Sequence, residues 1–301
     1  MSELKNEKLA IPLVILAGVL WSFGPYVVRH MDSPNLVPWQ YLFTRGIVIF
    51  LLLNLYLFFN EGKKFYKNYF NVGISGLIGG IGLGSAMITF IWSITNTSAA
   101  ITLLCLAAMP FITALLGFLF LREKISFSVW MTIIVATAGL AIMTFGTVSP
   151  KSLTGLLFGL ASAIGFSIFS VTLRWRKETP KFTTVAVAGL FCCIFSVFIL
   201  LKNDLSFLSN SKNSSLFAVH GTLVCLGLIL YSSGSKFIPA AELTLLSLLE
   251  VIGGIFWVWV PILGINEIPN NNTIIGGFFI FVAIIYYSLI IKQNRRFIGL
   301  N

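Results

Sequence analysis

Read by hydrophobic and polar position, the chain is a succession of apolar runs of about 20 residues joined by short polar links. Ten runs stand out: Leu9–Val28, Trp39–Phe59, Phe70–Trp92, Ala99–Leu121, Phe127–Phe145, Leu153–Leu173, Phe182–Leu201, Leu216–Ser235, Pro239–Leu263 and Thr273–Ile291. A helix of roughly 20 residues crosses the ~30 Å hydrocarbon core of a bilayer, so the pattern predicts an all-α integral membrane protein of ten transmembrane helices. The links and both tails are short, and no soluble catalytic domain is expected between the runs. Six of the seven tryptophans (Trp39, Trp92, Trp130, Trp175, Trp257 and Trp259) fall at or near run ends, where the amphipathic ring prefers the interface. Trp21 lies deep inside the first run.

Composition agrees with the pattern: 57% of residues are hydrophobic and 10% charged, where a soluble domain carries roughly 25% charged residues. The net charge of +10 is accounted for by topology and not by nucleic acid. With the N-terminus inside, fifteen Lys and Arg residues, among them Lys63, Lys64, Lys67, Arg174 and Arg176, lie on the cytoplasmic side, against Lys151, Lys202 and Lys212 outside. That asymmetry predicts a multi-pass protein of the inner or plasma membrane with both termini cytoplasmic. The first run is too long for a signal-peptide core and is expected to be retained. All four cysteines fall within runs, which argues against disulfides and zinc; no metal or cofactor is expected. The lipid bilayer and a small-molecule substrate are the partners expected, with room left for a homodimer.

The chain also resembles itself. Gly18 and Gly24 recur as Gly159 and Gly165, Ala99-Ala100 as Ala240-Ala241, Thr102-Leu103-Leu104 as Thr244-Leu245-Leu246, and Glu123 as Glu267, all at an offset of about 142 residues. A unit with five spans forces its second copy to enter from the opposite side, so the expectation is two inverted five-helix repeats, residues 1–146 and 147–301, in one membrane domain. Many secondary transporters alternate access through such repeats, with a site near the midplane. A duplication kept for packing alone is the competing account.

Three segments carry a family resemblance: "AGVLWSFGPYVVRH" in the first run, "WQYLFTRGIVIF" in the second, and "LCLAAMPFITALLGFLFLREKIS" from the fourth into the next link. With the Trp-Ser-x-Gly pattern at Trp21–Gly24, Arg45, and the stretch from Pro110 to Lys124, they resemble the EamA family of the drug/metabolite transporter superfamily. The second copy is similar but weaker, and Glu250 has no first-half counterpart. The resemblance implies ten helices in two inverted repeats, with helices 1–4 and 6–9 around a cavity and helices 5 and 10 peripheral. It also implies traffic in small metabolites, amino acids, nucleotide derivatives or drugs.

The candidate site residues are the polar groups that an apolar run keeps at a cost. Glu250 stands in the middle of the ninth run, where a carboxylate costs about 2.5–3.5 kcal/mol. Ser247, Gly254 and Trp257 share its helical face, so it is read as a substrate or proton contact, against a helix contact satisfied by a partner. Arg45 lies about six residues into the second run, with Tyr41 one turn earlier and Thr44 beside it; a cavity or gate role competes with a fixed ion pair. His220, Gly227 and Tyr231 share one face of the eighth run, which lines a cavity or leaves the histidine bonded at the interface. Glu242, in the first turn of the ninth run, favours the helix dipole and can meet Lys236; both are gate candidates. Glu123 and Glu267 read as contacts at helix ends, and Gly76, Gly80 and Gly84 as a packing face, not a phosphate loop. No nucleophile, base and orienter set is present, so an enzyme is not expected. The residues suit a transporter of an amino acid or similar zwitterion, held by Arg45 and Glu250. The alternatives are a transporter of an organic cation or quaternary amine, with or without proton coupling, held by Glu250 and aromatic faces including Trp21, and a scaffold that transports nothing.

Overall fold

The computed structural model describes residues 2–97, 99–144, 153–176, 178–265, 268 and 271–287. Among these residues the regular elements are helices, without a strand. The first run forms α1 (Ser2–Trp21) and α2 (Phe23–His30), and the second forms α3 (Pro38–Glu61), followed by the single turn α4 (Lys67–Phe70). The third run is α5 (Gly73–Asn96), the fourth α6 (Ala99–Leu106) and α7 (Met109–Leu116), and the fifth α8 (Phe127–Thr144). Beyond them come α9 (Leu153–Trp175), α10 (Lys181–Lys202), α11 (Ser211–Gly234), the broken pair α12 (Ala240–Ser247) and α13 (Leu249–Trp259), and α14 (Asn271–Tyr286). Seven stretches, from Leu9–His30 to Ala240–Trp259, are long and apolar enough to cross a membrane, while Met109–Leu121, Phe127–Gly139 and Ile274–Tyr286 are shorter apolar helices. The chain is a multi-pass integral membrane protein. Glu267 and Lys151 lie outside the described residues.

Three runs are broken part-way, and two of the breaks have a proline cause. Pro25 offers no N–H to the carbonyl of Trp21 and crowds it, so the first run parts at Ser22, whose hydroxyl turns back to the carbonyl of Val19 at 2.6 Å. Pro110 stands in the same relation to Leu106 and separates α6 from α7. The α12–α13 break lacks a proline. There the Ser247 hydroxyl donates to the Thr244 carbonyl at 2.8 Å, and the Gly253-Gly254 pair follows one turn on.

Small residues let the unbroken helices approach. The α5 glycines face α10, where a Cβ at Gly76, Gly80 or Gly84 would lie 2.6–2.8 Å from Thr184, Val187 or Phe191. The expected packing face is therefore present. Another α5 face meets α9: a Cβ on Gly82 would come within 3.0 Å of the Gly165 carbonyl oxygen. Helix α3 packs on α10 and α11, α1 on α11, and α8 on α14, so the principal contacts join elements before residue 145 to elements after 152.

Candidate functional site

The three breaks meet. Trp21 closes α1, Leu106 and Met109 flank the α6–α7 break, Glu250 opens α13, and all four line one cavity of about 60 Å³. Arg45 of α3 and His220 of α11 reach the same cavity, and its remaining wall is largely apolar, with Met87, Phe90 and Phe166 prominent. The structure thus brings the candidates Trp21, Arg45, His220 and Glu250 to one place, a juxtaposition that sequence reasoning did not give as a set. That reasoning also missed the apolar liners, because an apolar residue in an apolar helix carries no signal of which way it faces.

Arg45 is 6% exposed, and its Nε and Nη1 have no hydrogen-bond partner among the described residues. Glu250 is half-buried, and among the described residues no ion pair within 4 Å joins the two. A buried guanidinium donor without an acceptor is costly, more than the roughly 1–3 kcal/mol of a neutral group. An arginine and a glutamate held apart around a void are the converse of a structural salt bridge, whose members meet directly.

Two other candidates, Tyr41 and Tyr231, stand behind the wall. Tyr41 is fully buried, its ring stacked on Phe217, and its hydroxyl meets Nδ1 of His220. Trp21 donates from Nε1 to the Val224 carbonyl at 3.3 Å and packs edge-on to Phe166. Gly227 makes room for that indole: a Cβ there would lie 2.2 Å from Nε1. Tyr231 backs Trp21 with ring centroids 5.4 Å apart, and its hydroxyl shares a 2.7 Å hydrogen bond with Ser170. Ser22, at the break, accepts a 2.8 Å hydrogen bond from Nε1 of Trp257.

Ser247 does not share the cavity. It is fully buried with its hydroxyl committed to Thr244, because the break at Leu248 interrupts the periodicity that put it on the face of Glu250. Glu242 and Lys236 are not brought together either: Lys236 is exposed, whereas Glu242 is 2% exposed and takes the hydroxyl of Tyr287.

The tie at the other end of these helices is Glu123. The chain leaves α7 through a widened turn, Gly117–Leu121, and reverses at Arg122 with φ 55°, which aims Glu123 across the bundle. Its Oε1 accepts from Nε of Arg174 at 2.6 Å, and its Oε2 accepts from the backbone N–H of Ala240 at 3.1 Å, capping α12. Arg174 also donates from Nη1 to the carbonyls of Ser235 and Ile238, both at 2.8 Å. The expected helix-end contact of Glu123 is present, and it secures the helix pair that carries Glu250.

The sequence pattern of the EamA-like transporter family matches residues 8–145. An uncharacterized transporter of Helicobacter pylori strain J99 is 26% identical over 184 residues, and one of strain 26695 is 25% identical over 202. These alignments span 60% and 66% of this chain and the same shares of the two relatives. Protein RarD of Salmonella typhi is 21% identical over 311 residues, covering 98% of this chain and 99% of its own length. A solved crystal structure superposes with a TM-score of 0.72 at 17% identity over 95% of this chain and 98% of that one, which is a likeness of fold.

Proposed function

We propose that this chain, whose residues 8–145 match the EamA-like transporter family, carries out secondary transport of a small amino acid or similar zwitterion by alternating access. The observation that carries the cargo class is the presence around one cavity of Glu250 and of an Arg45 whose Nε and Nη1 have no partner among the described residues. The guanidinium suits a carboxylate, the Glu250 carboxylate suits an ammonium, and a cargo with a single charge leaves one of them uncompensated while an uncharged cargo leaves both. The apolar remainder of the wall suits an apolar side chain. An organic cation fits less well, because it brings a second positive charge to Arg45.

Two inverted repeats of five spans, residues 1–146 and 147–301, complete the reading. The helix pairings support it. Exchanging the first five spans for the last five turns the α5–α9 contact into α11–α1, α5–α10 into α11–α3, and the α6–α9 contact into one between α1 and α12–α13. The pairs α3–α10 and α8–α14 map onto themselves. Both termini are placed on the cytoplasmic side with Lys63 and Arg174, following the charge asymmetry. At about 60 Å³ the cavity is far below the several hundred Å³ of a typical ligand pocket, so the cargo requires a more open state than this one.

The test is uptake of labelled L-leucine into liposomes holding the purified protein, with 3-methylbutylamine and 4-methylpentanoate as competitors, each lacking one charged end. Saturable leucine uptake against which neither analogue competes well supports a zwitterion. Competition by the amine equal to that of leucine moves the assignment to organic cations, and no uptake of L-leucine refutes it.

A further inference from the structure

His220 reaches the cavity with one ring nitrogen already engaged. Tyr41 is fully buried, and the partner its hydroxyl meets is Nδ1 of His220. The phenol proton needs an acceptor, which a bare Nδ1 supplies. A proton on Nδ1 instead makes the phenol oxygen the acceptor and leaves its own proton buried without one, a condition native interiors rarely carry. The ring proton therefore belongs on Nε2.

The Nε2 edge lies against Gly24, where a Cβ would come within 3.2 Å of it, so the glycine of the Trp-Ser-x-Gly segment leaves that edge uncovered. Arg45 is the neighbour: at Gly221 the helix α11 comes so near α3 that a Cβ would lie 3.3 Å from the Arg45 Cα. We infer that Tyr41 is a positioning residue that fixes His220 as an Nε2–H donor, which joins Nε and Nη1 of Arg45 in holding the carboxylate of the cargo. The inference rests on the zwitterion reading above and adds to it a residue for carboxylate recognition and the residue that orients it.

The chain has two histidines, so His30→Gln leaves His220 as the sole imidazole for ¹⁵N nuclear magnetic resonance in lipid nanodiscs. The expected spectrum shows a protonated Nε2 and a bare Nδ1, and a tautomer mixture once Tyr41→Phe is added. In liposomes Tyr41→Phe should raise KM for L-leucine about fivefold, the worth of one neutral hydrogen bond, with kcat little changed. In a His220→Gln background, whose amide donates without a tautomer to set, Tyr41→Phe should cost nothing further. An Nδ1-protonated ring in the protein with Tyr41 intact, or equal losses from Tyr41→Phe in both backgrounds, overturns this inference alone. Failure of the unsubstituted protein to take up L-leucine overturns the zwitterion reading and this inference with it.

Discussion

Replacing Gly227 by alanine sets stability against site shape. The added Cβ would stand 2.2, 2.8 and 2.9 Å from Nε1, Cδ1 and Cε2 of Trp21. Carbon contacts relax near 3.5 Å, so the indole, being rigid, must retreat by roughly 1 Å. Phe166 and Tyr231 hold its flanks, with centroids at 5.5 and 5.4 Å, and the open direction is the cavity that Trp21 lines. Overpacking costs about 1–3 kcal/mol, whereas exchanging glycine for alanine inside a helix returns about 1 kcal/mol. The retreat also gives up the 3.3 Å bond from Nε1 to the Val224 carbonyl, worth about 1 kcal/mol, so the net loss of stability is at most about 3 kcal/mol, while a ring displaced into about 60 Å³ removes most of the working space. Gly227→Ala should reach the membrane folded, unfold near the normal midpoint, and lose at least about tenfold in L-leucine uptake. Gly277→Ala is the control, since no atom lies within 4 Å of its new Cβ. Full uptake by Gly227→Ala, or a loss of stability beyond about 4 kcal/mol, would refute the displacement of Trp21 into the cavity.

Glu250→Gln keeps the shape of the side chain and removes its charge, so L-leucine affinity should fall with little change in stability; a drop of about 3–5 kcal/mol in unfolding free energy would instead mark a buried structural pair. Glu123→Gln keeps an acceptor for the Ala240 N–H and loses the charge facing Arg174; with the side chains 17% and 25% exposed, it should cost about 1–2 kcal/mol. The same change should speed maleimide labelling of a cysteine placed at Ser162, in the cavity wall, from the side on which Arg174 lies, and unchanged labelling would limit Glu123 to a static contact. Asp32, in the link after α2, accepts from Lys212 Nζ at 2.6 Å and from Asn210 at 3.0 Å, and these bonds hold its carboxyl below the usual range. Its contribution is then complete above the ordinary carboxyl pKa and is lost as pH falls through the lowered one, so the difference in unfolding midpoint between the natural protein and Asp32→Asn should shrink below about pH 4.

Much of the solvent-facing logic was legible in the sequence, because a bilayer demands long apolar runs and makes each polar group within them conspicuous. Arg45 and Glu250 were conspicuous for that reason, and Trp21 for being the indole away from an interface. His220, Gly227 and Tyr231 were correctly seen as one face, since α11 is unbroken between them. Ser247 was misjudged because the same periodicity was carried across the α12–α13 break, which has no proline to announce it. The pairing of Lys236 with Glu242 assumed that nearness along the chain decides partners, whereas Glu242 is met by Tyr287 of the last helical region. The Tyr41–His220 bond, between residues 179 apart, leaves no mark in either local sequence.

The helix pairings bear on how the protein comes into being. Because α5 sits against α9 and α10, while α11 sits against α1 and α3, each half donates a central helix to the other. The helices before residue 145 therefore leave packing faces open to the lipid until those after residue 152 are synthesised. Their exposed glycine faces are then docking surfaces awaiting a partner that arrives later on the same ribosome. A chain severed between Thr144 and Leu153 keeps every one of those faces, and its two pieces, co-expressed, have the means to find each other and reassemble.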